Sequence, residues 1–248
     1  MGYAGAYFMM QSTYAAPGLH LAIIPDGNGR WATARGKPRS HGHRAGADAV
    51  RRIARAAPEL GVSTLTFFLF SADNWRRPKR EVDGIFALLQ SYFQTESFCW
   101  VRGGVRVEVI GRRDRLPPGL QTAIREAELR TAAGRKLLLR FAVDYSGREA
   151  LLRAACRFYT ALEISDEEFA RTLAKVNHCS EAPDVDLLIR TGGEQRLSDF
   201  LLWELARAEL YFSPKWWPDF SAEDLAGALQ EYCARARTFG GVAEVAAS

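Results

Sequence analysis

The chain has 248 residues, enough for one large α/β domain or two small ones, and its 48% hydrophobic and 25% charged residues exclude wholesale disorder. Its net charge of +4 fits nucleic acid, anionic lipid or a phosphorylated substrate equally well, so the placement of the basic residues has to decide. Four scattered cysteines, Cys99, Cys156, Cys179 and Cys233, form neither a CxxC pair nor a zinc-ligand cluster and read as reduced thiols of a cytosolic protein.

Residues 1–18 lack the basic start and continuous apolar core of a signal peptide and read as a flexible lead-in. Leu19–Ile24 then reads as a buried strand, Ala45–Leu60 as a helix and Val62–Phe70 as a second strand. Glu81 to about Trp100 is helical, Val105–Ile110 strand, Pro117–Thr131 helix and Lys136–Val143 strand. Helices over Gly147–Leu162 and Asp166–Val176 lead to a strand over Val185–Ile189, and Ser221–Ala236 closes the pattern as a helix with a serine cap and acids in its first turn. No apolar run reaches the ~18–20 residues that span a bilayer. The protein is expected to be cytoplasmic, with room for peripheral membrane contact. Near-continuous apolar strands alternating with helices imply an α/β fold, a mainly parallel sheet covered on both faces. With no linker and no repeat, residues 19–240 read as one domain.

In such a sheet ligands bind at the carboxyl ends of strands, and four of those ends carry unusual chemistry. The first is Pro25-Asp26-Gly27-Asn28-Gly29-Arg30-Trp31. Its glycines let the backbone turn tightly and aim N–H groups at an anion, and Arg30 adds a forked donor suited to phosphate. Asp26 repels a bare phosphate there unless a cation lies between them, which suggests Mg²⁺; a plain Asp-Gly-Asn-Gly turn is the competing reading. The basic run Arg35 to Arg44 is either a solvated loop or a source of phosphate ligands in Arg39 and His43. The second strand ends in Ser71-Ala72-Asp73-Asn74-Trp75-Arg76-Arg77, which places Ser71, Asn74 and Arg77 beside an aromatic strand. A helix cap and a surface ion pair suffice for Asp73 and Arg76. Arg190, a double-glycine turn, then Arg196-Leu197-Ser198 form a second candidate anion cradle, and Glu209 follows beside an apolar run. Two cradles, a carboxylate and an apolar lining suggest two diphosphates with hydrocarbon tails. The arginines gather at glycine turns and form no exposed basic stripe, which argues against nucleic acid.

From His20 to about Arg237 the chain resembles the cis-prenyltransferases, the family of undecaprenyl diphosphate synthase. The resemblance rests on IIPDGNGRWA (Ile23–Ala32), HGHRAG (His41–Gly46), LTFFLFSADNWRRP (Leu65–Pro78), DLLIRTGGEQRLSDFLLWELARAELYF (Asp186–Phe212) and WPDF (Trp217–Phe220). It implies a homodimeric single-domain enzyme with a hydrophobic tunnel that joins an allylic to a C5 prenyl diphosphate. Asp26 resembles the Mg²⁺ ligand and central catalytic carboxylate, and Glu209 the second metal-linked one. Gly27, Asn28, Gly29, Arg30, Arg39 and His43, with Trp31 nearby, resemble the allylic diphosphate site. Ser71, Ala72, Asp73, Asn74, Trp75 and Arg77 resemble the reaction centre, Asn74 being linked to proton removal. Arg190, Arg196, Leu197 and Ser198 resemble the second diphosphate site.

The chain departs from the family pattern at Pro25, Leu69, Asp144, Ser146, Gln195, Asp199 and Arg207. Leu69 replaces a small residue and, beside Phe67, Phe68 and Phe86, is expected to narrow the tunnel and shorten the product. Pro25, Asp144 and Ser146 are expected to flank the reaction centre, which opens a second reading, irregular joining of two allylic units to a branched lavandulyl-type product. A non-catalytic partner subunit is the third reading, opposed by the retained Asp26, Arg190, Arg196 and Glu209.

Overall fold

The computed structural model describes residues 18–158, 163–180 and 183–235, so the lead-in before Gly18 lies outside the described residues. Six strands, β1 (Leu19–Ile24), β2 (Val62–Ser71), β3 (Val105–Ile110), β4 (Leu137–Tyr145), β5 (Leu187–Arg190) and β6 (Glu209–Phe212), form one sheet in the order β3-β4-β2-β1-β5-β6. Every neighbouring pair is parallel. The helices are α1 (Asn28–Thr33), α2 (Arg39–Ala56), α3 (Lys79–Arg102), α4 (Pro118–Thr131), α5 (Gly147–Ala155), α6 (Asp166–Val176) and α7 (Ala222–Ala234).

Strand alternation sorts the core. Leu21 and Ile23 of β1 join Phe67, Phe141 and Ile189 beneath α2, α3, α4 and α7 on one face, while Ala22 and Ile24 join Phe68, Ala142 and Leu188 on the other. Near its end β2 shifts register between Phe68 and Phe70, so that Leu69 and Phe70 both pack against the first face.

Four elements differ from the sequence expectation. The second helix starts at Arg39, directly after Pro38, so the basic run is helical from Arg39 to Arg44, while Arg35 and Lys37 stay in the turn and loop before it. It ends at Ala56 and tightens to a 3₁₀ turn over Ala57–Leu60, because Pro58 has no N–H to continue the ladder. The glycine-rich Asn28–Thr33 is a short helix, and Glu209–Phe212 is a sixth strand at the sheet edge. The helix expected over Gly147–Leu162 ends at Ala155 with a 3₁₀ turn over Cys156–Phe158; residues 159–162 lie outside the described residues.

The topology places a crevice. After β1 the chain moves toward β2, and after β5 it moves the opposite way toward β6, so the connections diverge where β1 and β5 lie side by side. Ligands of open α/β sheets sit at such switch points. Here the two strand ends deliver Asp26 and Arg190.

Candidate active site

The ends of β1 and β5 are zipped together by Thr191, whose hydroxyl accepts the Asp26 N–H at 3.0 Å and donates to the Asp26 carbonyl at 2.9 Å. Gly27 turns the chain with φ of +102°, and a Cβ there would lie 2.7 Å from the Trp216 side chain, so only glycine fits. The Asp26 carboxylate accepts the Gly27 N–H at 2.6 Å and Arg30 at 3.3 Å on Oδ1, and Arg190 at 2.9 Å on Oδ2. Arg190 is 4% exposed; its other nitrogen donates to the Ser198 hydroxyl at 2.7 Å and to the Arg196 carbonyl at 2.5 Å. Gly192, with φ of +87°, lets the following turn pass against Asp26. The buried Trp217 closes the floor, its backbone N–H on the Asp26 carbonyl and its indole on the Gly46 carbonyl, both at 2.9 Å.

A second cationic group faces this one from α2 and α3. Arg39 and His43 are one helical turn apart, on the same face of α2. Both reach Glu81 in the first turn of α3: Arg39 with two nitrogens at 3.2 Å and His43 Nε2 at 3.3 Å. Arg77, four residues before Glu81, meets it at 3.3 Å. Burial, only partly opposed by Glu81, holds His43 below its ordinary pKa, with Arg77 and Arg39 adding to the depression. Burial pushes the Glu81 carboxyl up, but Arg39, His43 and Arg77 outweigh it and hold the group below the ordinary range. The sequence reading passed over Glu81. The Arg77–Glu81 spacing of four was its one local signal.

Between the two groups opens a cavity of about 570 Å³. Asp26, Gly27, Asn28, Gly29, Arg39, His43, Ser71, Asp73, Asn74, Arg77, Arg190, Arg196 and Ser198 line its polar part, so most of the expected residues converge on one space. Ala47, Val50, Leu69, Ile85, Leu88 and Leu89 make its apolar part. Phe68 lines it, whereas Phe67 and Phe86 lie behind the wall.

Other expected residues stand apart. Trp31 turns outward, donating its indole N–H to Asp219 at 2.7 Å beneath Arg35. Arg30 borders Asp26 and also pairs with Glu194 at 3.3 Å. Asp73, though on the lining, is three-quarters exposed and pairs with Arg76, the surface ion pair expected from sequence. Leu197 packs into the core of the second face, and neither it nor Ala72 lines the cavity. Trp75, Asp144 and Ser146 do not line it either, which corrects the expectation that Asp144 and Ser146 flank the reaction centre. Asp144 is taken by Trp75 and Arg115, while Ser146 caps α5 through the Glu149 N–H and bonds Asp199. Glu209 begins β6 opposite Leu187, at the far end of the strands from Asp26, and pairs with Arg235 at 2.8 Å. The structure does not bring Asp26 and Glu209 together within one chain.

Among the described residues no three His, Cys, Asp or Glu side chains gather into a metal-holding group. A lone carboxylate beside a glycine turn and several cations fits Mg²⁺ of the kind that keeps most of its ligands as water and substrate phosphate oxygens. No helix among the described residues is long and apolar enough to cross a membrane.

Residues 24–240 match the family model described as putative undecaprenyl diphosphate synthase. The chain belongs to this family. It is a prenyl transferase of the cis type. Its relatives include isoprenyl transferase 1 of Bradyrhizobium diazoefficiens, 53% identical over 90% of each chain, and isoprenyl transferase of Aquifex pyrophilus, 47% identical over 90% of this chain and 96% of that one. Among solved structures it is similar to lavandulyl diphosphate synthase from Lavandula x intermedia in complex with dimethylallyl diphosphate. That match has a TM-score of 0.85 and 35% identity, over 90% of this chain and 98% of that one. A probable undecaprenyl diphosphate synthase from Campylobacter jejuni matches with a TM-score of 0.75 and 31% identity, over 91% of this chain and all of that one.

Proposed function

We propose that this prenyl transferase joins an allylic diphosphate head to tail to a C5 prenyl diphosphate and releases a short product, using Mg²⁺. The observation that carries the reading is the division of one cavity into two cationic groups on either side of Asp26 and a single aliphatic end. One diphosphate is held by the Gly27–Gly29 turn with Arg39 and His43, the other by Arg190, Arg196 and Ser198. A volume near 570 Å³ lies within the roughly 300–1,000 Å³ that suits ligands of drug size, and Leu69 on the wall supports a product of a few isoprene units.

In this reading the allylic C1–O bond breaks and its electron pair stays on the diphosphate. Arginines already in place stabilise that charge. The double bond of the C5 substrate attacks C1 while the aliphatic wall excludes water. Mg²⁺, when bound by Asp26 and phosphate oxygens, supplies further neutralisation of the leaving group. Loss of a proton beside the new bond restores neutrality, and that proton passes to the released diphosphate. Asn74 orients the acceptor: its Oδ1 takes the Ser71 N–H at 3.2 Å, and an amide does not hold a proton at neutral pH.

Irregular joining of two allylic units is the second reading, favoured by the similarity to the lavandulyl enzyme. Incubation with Mg²⁺ and dimethylallyl diphosphate, alone or with isopentenyl or geranyl diphosphate, followed by mass spectrometry, separates the two. A strict need for isopentenyl diphosphate supports head-to-tail joining. Product from allylic diphosphates alone supports the irregular reaction, long polyprenyl chains refute the short-product reading, and no product from folded protein supports a partner subunit. Asp26→Ala is expected to abolish turnover in a folded protein.

The protein is further proposed to act in the cytoplasm as a homodimer. Among the described residues no strand pairs with the outer edge of β6, where Leu210 is partly exposed and its carbonyl accepts Arg235 at 3.0 Å, and a second copy is proposed to meet this edge. Sedimentation velocity is expected to give twice the chain mass, and a monomer at assay concentration overturns this.

A further inference from the structure

Asp144 is the penultimate residue of β4, with its side chain fully buried and its backbone at φ of +52°, a conformation that aspartate tolerates better than most residues. A carboxylate so placed is costly unless it is neutralised and hydrogen-bonded. Here both oxygens are taken. Oδ1 accepts the Trp75 indole N–H at 2.8 Å and Arg115 Nη2 at 2.5 Å, and Oδ2 accepts Arg115 Nε at 2.8 Å. The Asp144 carbonyl accepts the Arg112 N–H at 3.1 Å, a second tie to the loop after β3.

The third member of the cluster is held as firmly. The Trp75 ring lies edge-on to Phe70 and Phe86, with centroids 5.7 and 5.2 Å away, and the Arg115 guanidinium lies 5.5 Å from its centre. Trp75 belongs to the 3₁₀ turn Ala72–Arg76, whose neighbours Ser71, Asn74 and Arg77 line the cavity. Trp75, Asp144 and Arg115 are absent from that lining, so they reach substrate only through the turn. One buried carboxylate thus ties the end of β4 to the segments that follow β2 and β3.

We propose that Asp144 is a positioning residue, which with Arg115 fixes the turn presenting Asn74 and Arg77 before substrate arrives. Fixing that geometry ahead of binding spares the acceptor the cost of ordering it. The kinetic side of this inference rests on the condensation proposed above, and the structural side does not.

Trypsin supplies the structural readout. It cleaves after arginine but not before proline, so Arg76–Arg77 is the cleavable bond of this turn and Arg77–Pro78 is not. In Asp144→Asn and Arg115→Met the Arg76–Arg77 bond is expected to be cut about tenfold faster while the thermal transition stays cooperative. The kcat/KM for the C5 substrate is expected to fall by about ten- to a hundredfold, mostly through its KM, with a smaller rise in the KM for the allylic substrate because Arg77 shares Glu81 with Arg39 and His43. The double variant is expected to be no worse than Arg115→Met, and Arg115→Lys to recover most of the loss.

Cleavage and kinetics indistinguishable from the parent protein overturn the proposal. So does a loss spread evenly over kcat and both KM values that follows thermal stability and is not recovered by Arg115→Lys. Should the parent protein condense no prenyl diphosphates, the function reading falls while the cleavage comparison still decides the role of Asp144.

Discussion

The two cationic groups that face each other across Asp26 are built on opposite principles. Arg190 is 4% exposed, sits on a central strand, and spends its guanidinium on Asp26, Ser198 and a backbone carbonyl. Arg39 is more than half exposed, projects from a helix, and is tied to a side chain, Glu81, which it shares with His43 and Arg77. Strand and backbone hold the first group to one geometry. Carboxylate partners hold the second, and an arriving diphosphate can replace them. The contrast suits a site that must keep one contact rigid while exchanging charge at the other, since preorganised donors act only if they do not reorganise during reaction.

The same substitution on each side tests this. Arg190→Lys keeps the charge but loses the fork that serves three acceptors at once, and lysine does not reproduce it. Turnover is expected to fall by roughly a hundredfold or more, because hydrogen bonds to Asp26, Ser198 and the Arg196 carbonyl, made by a buried cation, are left unmade. Arg39→Lys is expected to cost less than about tenfold, because Glu81 and the diphosphate accept a point charge nearly as well. Steady-state kinetics on both variants checks the difference, and equal losses would erase the asymmetry.

The asymmetry also marks what the sequence could show. Arg190 and Asp26 each follow an unbroken apolar strand, and a parallel sheet brings such ends together, so both were legible. Arg39 could be suspected, but its partner Glu81 lies 42 residues away on another helix, and no local pattern joins them. Arg115 was invisible for the same reason, its only clue being a buried carboxylate that the sequence does not mark as buried. The six-residue α1 hid among turn-forming glycines and asparagine. The edge strand β6 has four residues beginning with a glutamate, too few for periodicity to register. Glu209 was grouped with Asp26 through the family resemblance, and within one chain β6 starts it at the other end of the sheet.

Glu81 offers the finest test, because its carboxylate holds the cations and also competes for them. Glu81→Gln keeps the shape and one acceptor while removing the charge. The KM for the allylic diphosphate is expected to fall by about two- to fivefold, with kcat nearly unchanged. The stability cost is expected to be about 1 kcal/mol or less, since Arg39 is well exposed and solvent screens the pair. The pH dependence has a definite sign. A carboxyl held below its ordinary pKa in the folded chain binds fewer protons there than when unfolded, so its contribution is complete above the unfolded value of 4.5 and is lost as pH falls through the lower folded value. Denaturant titrations of the parent protein and Glu81→Gln should therefore converge in acid below pH 4.5 and separate above it. A large rise in the allylic KM would show that Glu81 orients substrate directly, and the replaceable group would then be as rigid as the one around Arg190.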